Sequence, residues 1–264
     1  SPFYYFKSGI YNFRVLRRDR AIEHFEMCLA KDRKREFYIL CCRNLSQLYY
    51  YRDDFEKAIK CATMVVDNTG DIEEKKKFQL EVARYYQGYG KFDVSKKLYE
   101  TYINNYGISS KAVYYYSILL YRMGYVEDAI SILQKTINRV AYDDYLQRCI
   151  RNLCRIYGDE GNIDKAKEIF KLAIDKDEKD AQAYALMGKI YFEHKKVERA
   201  KKYYNLAVKY DTDNEHHYLV NVMEVYAASF INNGTDACGK IIQQKIPIGS
   251  HADLAQLVKF ERMR

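Results

Sequence analysis

The sequence predicts an all-α protein built as a chain of antiparallel helical hairpins, and three observations carry that prediction. Proline occurs only at positions 2 and 247, so nothing between them meets a residue that removes a backbone donor and clashes with the preceding turn. Small residues recur in fixed phase along most of the chain. The chain also holds 28 tyrosines and no tryptophan; tyrosine buries its ring while its hydroxyl reaches water or a partner, which suits a structure with much half-buried surface.

The phase is set by six segments with a shared rhythm, a small residue followed four positions later in most cases by a large one: Ala21-Ile22-Glu23-His24-Phe25, Ala58 to Ala62, Ser95 to Tyr99, Ala129 to Leu133, Ala166 to Phe170 and Ala200 to Tyr204. Their first residues are 37, 37, 34, 37 and 34 positions apart. A period in this range marks a helical repeat. Twelve positions before each stands a second small residue: Gly9, Ser46, Ala83, Ser117, Cys154 and Gly188. Gly, Ala, Ser and Cys together make up fewer than a fifth of the chain, so twelve of them at twelve phased positions do not arise by chance. Two antiparallel helices approach closely only where neither carries bulk at the crossing.

The rest of each hairpin follows from that pair. Three residues after the first small position comes Tyr49, Tyr86, Leu120, Tyr157 or Tyr191, with Asn12 the exception, to fill the space between hairpins. The turn between the helices carries Gly90, Gly124 and Gly161 in three units, where left-handed geometry ends a helix. Leu16, Asp53 and Lys195 stand there in the others, and those turns are expected to be strained. Hairpins are therefore expected at about 2–34, 39–71, 76–108, 110–142, 147–179 and 181–213. A divergent seventh over 220–246 keeps Ala227, Phe230, Gly234 and Gly239, so the array spans 1–246. Residues 247–264 follow Pro247 and read as an amphipathic helix through Leu254, Leu257, Val258 and Met263. It is expected to cap the last apolar face, with a partner-binding or dimer-forming helix as the rival reading.

The order small, large aromatic, turn glycine, alanine and aromatic resembles the tetratricopeptide repeat. The clearest unit is Tyr184, Met187-Gly188, Tyr191, Val197, Ala200, Tyr204 and Ala207, and the resemblance covers roughly residues 3–210. The usual tryptophan is replaced throughout and the closing proline is absent. The resemblance implies a right-handed α–α superhelix, a solenoid of six hairpins plus the divergent seventh, whose first helices line a concave groove for a protein or peptide. Carried onto this sequence, the groove positions include Arg43, Asn44, Lys77, Arg84, Lys111, Tyr114, Tyr115, Tyr121, Arg148, Arg151, Asn152, Arg155 and Lys189. Arg148, Arg151 and Arg155 share one helix face at three- and four-residue spacing. With Tyr114, Tyr115 and Tyr121 they suit an acidic or phosphorylated segment, unless carboxylates of neighbouring helices neutralise them. Family members that clamp a C-terminal carboxylate use five polar positions. Asn44 and Lys77 match two, but Phe6, Ile10 and Glu81 hold the others, and Glu81 repels a carboxylate, so no such clamp is expected.

Catalytic chemistry is not expected. His24, His194, His216, His217 and His251 lie at no metal-ligand spacing, and Gly88-Tyr89-Gly90 sits at a helix-to-helix turn with no strand before it to make a phosphate loop. Seven cysteines without CxxC spacing read as free thiols in a reducing, hence cytoplasmic, compartment. No apolar run is long enough to span a bilayer. The chain begins Ser-Pro without a methionine, as a fragment of a longer protein would. A formal charge of +8 from 44 basic and 36 acidic residues of interspersed sign is modest, and the alternating repeat length departs from a one-repeat-per-base code; both disfavour nucleic acid. The expected function is an interaction scaffold or adaptor with no cofactor, metal or small-molecule substrate. The alternatives are the sensor part of a larger regulator and an RNA-binding repeat, and homodimerisation stays open.

Overall fold

The computed structural model describes residues 1–211, which form twelve helices and no strand. In chain order these are α1 (Pro2–Arg14), α2 (Arg18–Lys31), α3 (Tyr38–Tyr51), α4 (Phe55–Asn68), α5 (Ile72–Gly88), α6 (Phe92–Tyr106), α7 (Ser110–Arg122), α8 (Val126–Arg139), α9 (Asp144–Asp159), α10 (Ile163–Lys176), α11 (Ala181–Glu193) and α12 (Val197–Tyr210). The seventh hairpin and the C-terminal helix expected from the sequence lie outside the described residues. The helices fall into two compact units, Ser1–Ile156 and the residues from Tyr157 onward. In the first unit α1 packs on α2, α3 on α4, α5 on α6 and α7 on α8, while α2–α3, α4–α5 and α6–α7 contacts join successive hairpins. In the second unit α11 packs on both α10 and α12.

Six turns from a first helix to a second share one hydrogen-bond pattern. The N–H groups of Arg17, Asp54, Lys91, Tyr125, Asn162 and Lys196 reach back to the carbonyls of Asn12, Tyr49, Tyr86, Leu120, Tyr157 and Tyr191 at 2.8–3.0 Å. The residue just before each donor has positive φ: Leu16 (59°), Asp53 (58°), Gly90 (78°), Gly124 (83°), Gly161 (75°) and Lys195 (59°). Each left-handed residue also donates to the carbonyl three positions earlier. These are Schellman closures, which satisfy carbonyls that a helix end otherwise leaves open. The strain expected at Leu16, Asp53 and Lys195 is present as side chains held in a region that suits glycine.

The donor that closes one helix also opens the next. Its carbonyl accepts the N–H of the small residue four positions on, namely Ala21, Ala58, Ser95, Ala129, Ala166 or Ala200, at 3.0–3.1 Å. The turn thus fixes where the small residue of the second helix sits relative to that of the first. All twelve small residues are buried. A Cβ on Gly9 would lie 2.7 Å from the Phe25 ring, and one on Gly188 would lie 2.8 Å from the Tyr204 ring. Where the first helix instead carries Ser46, the residue sixteen on is Ala62, so bulk on one helix is traded against absence of bulk on the other. Ser95 keeps its hydroxyl satisfied by donating to the Ala83 carbonyl at 2.7 Å. Asn12, the exception among the large positions, is buried with its amide donating to the Ser8 carbonyl at 2.8 Å and lying 3.1 Å from His24 Nδ1.

Local signals set the helix starts. Asp54, Ser109, Asn162 and Asp180 each accept from the backbone N–H three residues on. Asp71 accepts from Glu73 and Glu74. Such side chains occupy donors that the first turn leaves open. The three residues that separate 37-residue from 34-residue steps go outside the turn. They lengthen α5 to 17 and α9 to 16 residues against 13 for α7 and α11, and widen the segment between α2 and α3.

Two substitutions in the second unit test this geometry by urea unfolding. Gly188→Ala places a methyl against Tyr204 and is expected to destabilise by about 1–3 kcal/mol. Lys195→Gly relieves the left-handed turn and is expected to stabilise by about 1 kcal/mol.

Candidate functional site

In the first unit, the first helices of successive hairpins (α3, α5, α7 and α9) bear the predicted site residues on a shared set of interhelix contacts. At the α3–α5 junction Arg43 pairs with Glu74 at 2.5 Å. Asn44 donates to the Leu40 carbonyl of its own helix at 2.7 Å, and exposed Lys77 lies over Phe78 at 5.8 Å. Asn44 thus spends a donor inside its helix, while the carboxylate at Glu81 is taken up by cations.

Glu81 is the hub of the α5–α7 contact. It is only 9% exposed, with Arg84 Nη2 2.6 Å away and Lys111 Nζ 3.5 Å away. Arg84 also donates to the Tyr115 hydroxyl at 3.3 Å, and its guanidinium lies 4.9 Å from the Tyr50 ring centroid and 5.4 Å from that of Tyr115. Its Nε is buried without a hydrogen-bond acceptor, and the aromatic faces compensate that donor electrostatically. Burial by itself works against the Arg84 charge. The Glu81 carboxylate and then the Tyr115 hydroxyl outweigh it and hold the Arg84 pKa above the ordinary arginine value.

The α7–α9 contact is aromatic. Tyr114 and Tyr115 meet edge-on at 5.1 Å, and each lies 6.1 Å from Tyr145. Arg148 lies over the Tyr145 ring at 5.2 Å and Lys111 over it at 5.7 Å. Burial pushes the Tyr145 hydroxyl up to about 12, helped by its hydrogen bond to Tyr115. Tyr115 moves the other way. Burial would raise it, but the bonds from Tyr145 and Arg84, with the Arg84 charge, hold it below the usual tyrosine value. One turn further on, Asn152 donates to Ser117 at 2.8 Å and accepts from Arg155 Nη2 at 2.9 Å, while the Arg155 guanidinium lies 5.1 Å from the Tyr121 ring. Arg151 sits half-buried on the same helix.

Twelve of the thirteen predicted site residues therefore fall on these four helices. Lys189 belongs to the second unit, where it pairs with Glu193 at 3.5 Å. Sequence reasoning missed Tyr145, which stands at the centre of the aromatic cluster; its place three residues before Arg148 puts it on the arginine face and was the available signal. It also read Glu81 as a groove position that repels a carboxylate, although Arg84 three residues on marks an intrahelical pair.

The other candidate chemistries are also placed. The six described cysteines are free thiols. Burial pushes Cys154 up to about 12, and burial together with the Asp143 charge does the same for Cys149. A thiol so protonated is a poor nucleophile. Among the described residues no three His, Cys, Asp or Glu gather as a metal site, and no helix is long and apolar enough to cross a membrane.

The repeated closure and the small-residue crossings now meet independent likenesses. The tetratricopeptide repeat family matches residues 159–221. In fold, the chain resembles the C-terminal part of a tetratricopeptide repeat-containing protein from Cytophaga hutchinsonii, with a TM-score of 0.60 and 15% identity over 86% of this chain and 89% of that one. It is similar to a thermophilic tetratricopeptide repeat protein of Thermus thermophilus, with a TM-score of 0.56 and 16% identity over 71% and 98%. The fold is that of a tetratricopeptide-type helical repeat. A chain of the APC/C hetero-tetramer Cut9–Hcn1 is also similar, with a TM-score of 0.57 and 12% identity, covering 84% of this chain but 42% of that one. At these identities the likeness is one of fold. No curated protein matches the chain. The tetratricopeptide-type fold is consistent with protein–protein interaction, and Glu81 adds a charged contact between α5 and α7 to the α6–α7 packing of these hairpins. Glu81→Gln leaves Arg84 and Lys111 without their carboxylate and is expected to cost about 2–3 kcal/mol in chemical unfolding.

Proposed function

We propose that this chain is a non-enzymatic interaction scaffold that captures a peptide segment of a protein partner on the α7–α9 face, and that the segment carries acidic or phosphorylated side chains. The carrying observation is the half-buried cluster of Tyr114, Tyr115 and Tyr145 with the guanidinium of Arg148 laid over Tyr145. An arginine held against an aromatic face keeps its fork in a defined plane, so an incoming carboxylate or phosphate forms two bonds with less ordering of the protein. The tyrosine rings add contact area at low entropy cost, and their hydroxyls supply hydrogen bonds to a peptide backbone.

The cations of the α5 end play a different part. Arg84, paired with Glu81 on its own helix, reaches Tyr115 of α7, Lys111 of α7 reaches Glu81, and Arg43 of α3 reaches Glu74 of α5, so they hold the helices together. Binding specificity is assigned to α9 and its tyrosine neighbours. Fluorescence anisotropy with labelled peptides of phosphoserine-containing, Asp/Glu-rich and neutral composition tests this assignment. The first two are expected to bind and the neutral set to bind at least tenfold more weakly, and Arg148→Glu is expected to weaken the acidic sets by about tenfold, or roughly 1.4 kcal/mol. Equal binding of neutral and acidic peptides, or acidic binding unchanged by Arg148→Glu, refutes the reading.

A further inference from the structure

The turn between α1 and α2 departs from the other five in a way that neither the fold nor the peptide face uses. Its left-handed position is occupied by Leu16, whereas the equivalent residues are Asp53, Gly90, Gly124, Gly161 and Lys195. Leu16 is 77% exposed, the highest value among the exposed large apolar side chains of the described residues. A leucine there is disfavoured twice, once by its backbone and once by its solvation, although glycine would close the same turn. Beside it, Val15 is 42% exposed, and Tyr11, one helical turn earlier, is 60% exposed.

The charge of this turn is predominantly positive. Arg14, Arg17, Arg18 and Arg20 are all exposed, and Asp19, the acidic residue of the stretch, lies 3.8 Å from Arg52. Arg18 lies over the ring of exposed Tyr51 at 4.7 Å, which adds a second aromatic to the rim. An exposed leucine flanked in sequence by four exposed arginines, with exposed Tyr11 and Tyr51 on α1 and α3, has the composition of a segment that seats at the boundary between lipid headgroups and acyl chains.

We infer that the α1–α2 turn is a membrane-surface contact site: Leu16 and Val15 enter the headgroup boundary while Arg14, Arg17, Arg18 and Arg20 meet anionic lipid headgroups. A polyanion such as RNA would answer the arginines but give the leucine no environment. A fluid lipid surface answers both, and it accepts a convex tip without a preformed pocket.

The test uses the full chain in co-sedimentation with vesicles of phosphatidylcholine alone and of phosphatidylcholine mixed with phosphatidylserine. The chain is expected to sediment with the mixed vesicles, to remain in solution with the neutral ones, and to be released by raised salt. Leu16→Gly is expected to lower binding on the order of fivefold. Its melting temperature is expected not to fall, because the turn suits glycine, so a lost membrane contact is not mistaken for a lost fold. Replacing Arg17 and Arg18 by glutamine is expected to reduce binding, whereas Arg148→Glu, which disables the proposed peptide site, is expected to leave it unchanged. Three results overturn the inference: no preference for the anionic vesicles, Leu16→Gly binding as the parent does, or Arg148→Glu reducing binding as much as the turn variants. The last two would mean that diffuse charge alone holds the chain to the surface.

Discussion

One backbone residue in each hairpin serves two helices at once, and the architecture depends on it. The N–H of Arg17, Asp54, Lys91, Tyr125, Asn162 or Lys196 closes the helix before it, and its carbonyl receives the first interior N–H of the helix after it. With both groups committed, little freedom is left in how the second helix departs. The crossing is consequently narrow, and only small side chains fit where the helices meet. Tertiary packing enforces what local hydrogen bonding has already aimed, an agreement between levels that favours a single native arrangement. The non-glycine turns show the strength of the requirement: Asp53 and Lys195 adopt left-handed geometry because the bonds on either side demand it.

The face of the first helices is a by-product of the same stacking. Because contacts run from one hairpin to the next, polar side chains at matching heights on α5, α7 and α9 come into reach of one another. Glu81 answers Arg84 on α5 and Lys111 on α7, and Tyr145 meets the Tyr114 and Tyr115 rings and the same Lys111 of α7. Charge that sequence inspection counts as available for a ligand is thereby divided. Part of it joins repeats, while Arg148 and Arg155 of α9 lie over the Tyr145 and Tyr121 rings.

The periodic features were legible in the sequence because they are local and repeated. The small pairs from Gly9–Ala21 to Gly188–Ala200, the turn residues from Leu16 to Lys195 and the helices between them all follow from spacing alone, since the physics that selects them acts within one hairpin. The site was legible only in part. Arg148, Arg155 and the Tyr114–Tyr115 pair could be placed on a face, but their partners could not be named, because partnership crosses from one repeat to the next and depends on side-chain reach. Tyr145 was overlooked for that reason, and Glu81 was read by its sign when its position beside Arg84 and Lys111 decides its role. The exceptional Leu16 was visible as a departure from the turn pattern, yet its exposure became evident only from the folded chain.

The way the chain absorbs its extra residues has a consequence for loop grafting. Between the two small positions of every hairpin, twelve residues are spanned by fixed bonds, as from Gly9 to Ala21 or from Gly188 to Ala200. The three-residue surplus that separates long from short steps appears only outside that span, at the entry of α5 and α9 or in the segment before α3. Within this chain, repeat length varies at the entry to the first helix and is constant across the turn. A loop grafted ahead of α5 or α9 would fall where the chain already varies in length, and would leave the bonds of the hairpin turn untouched.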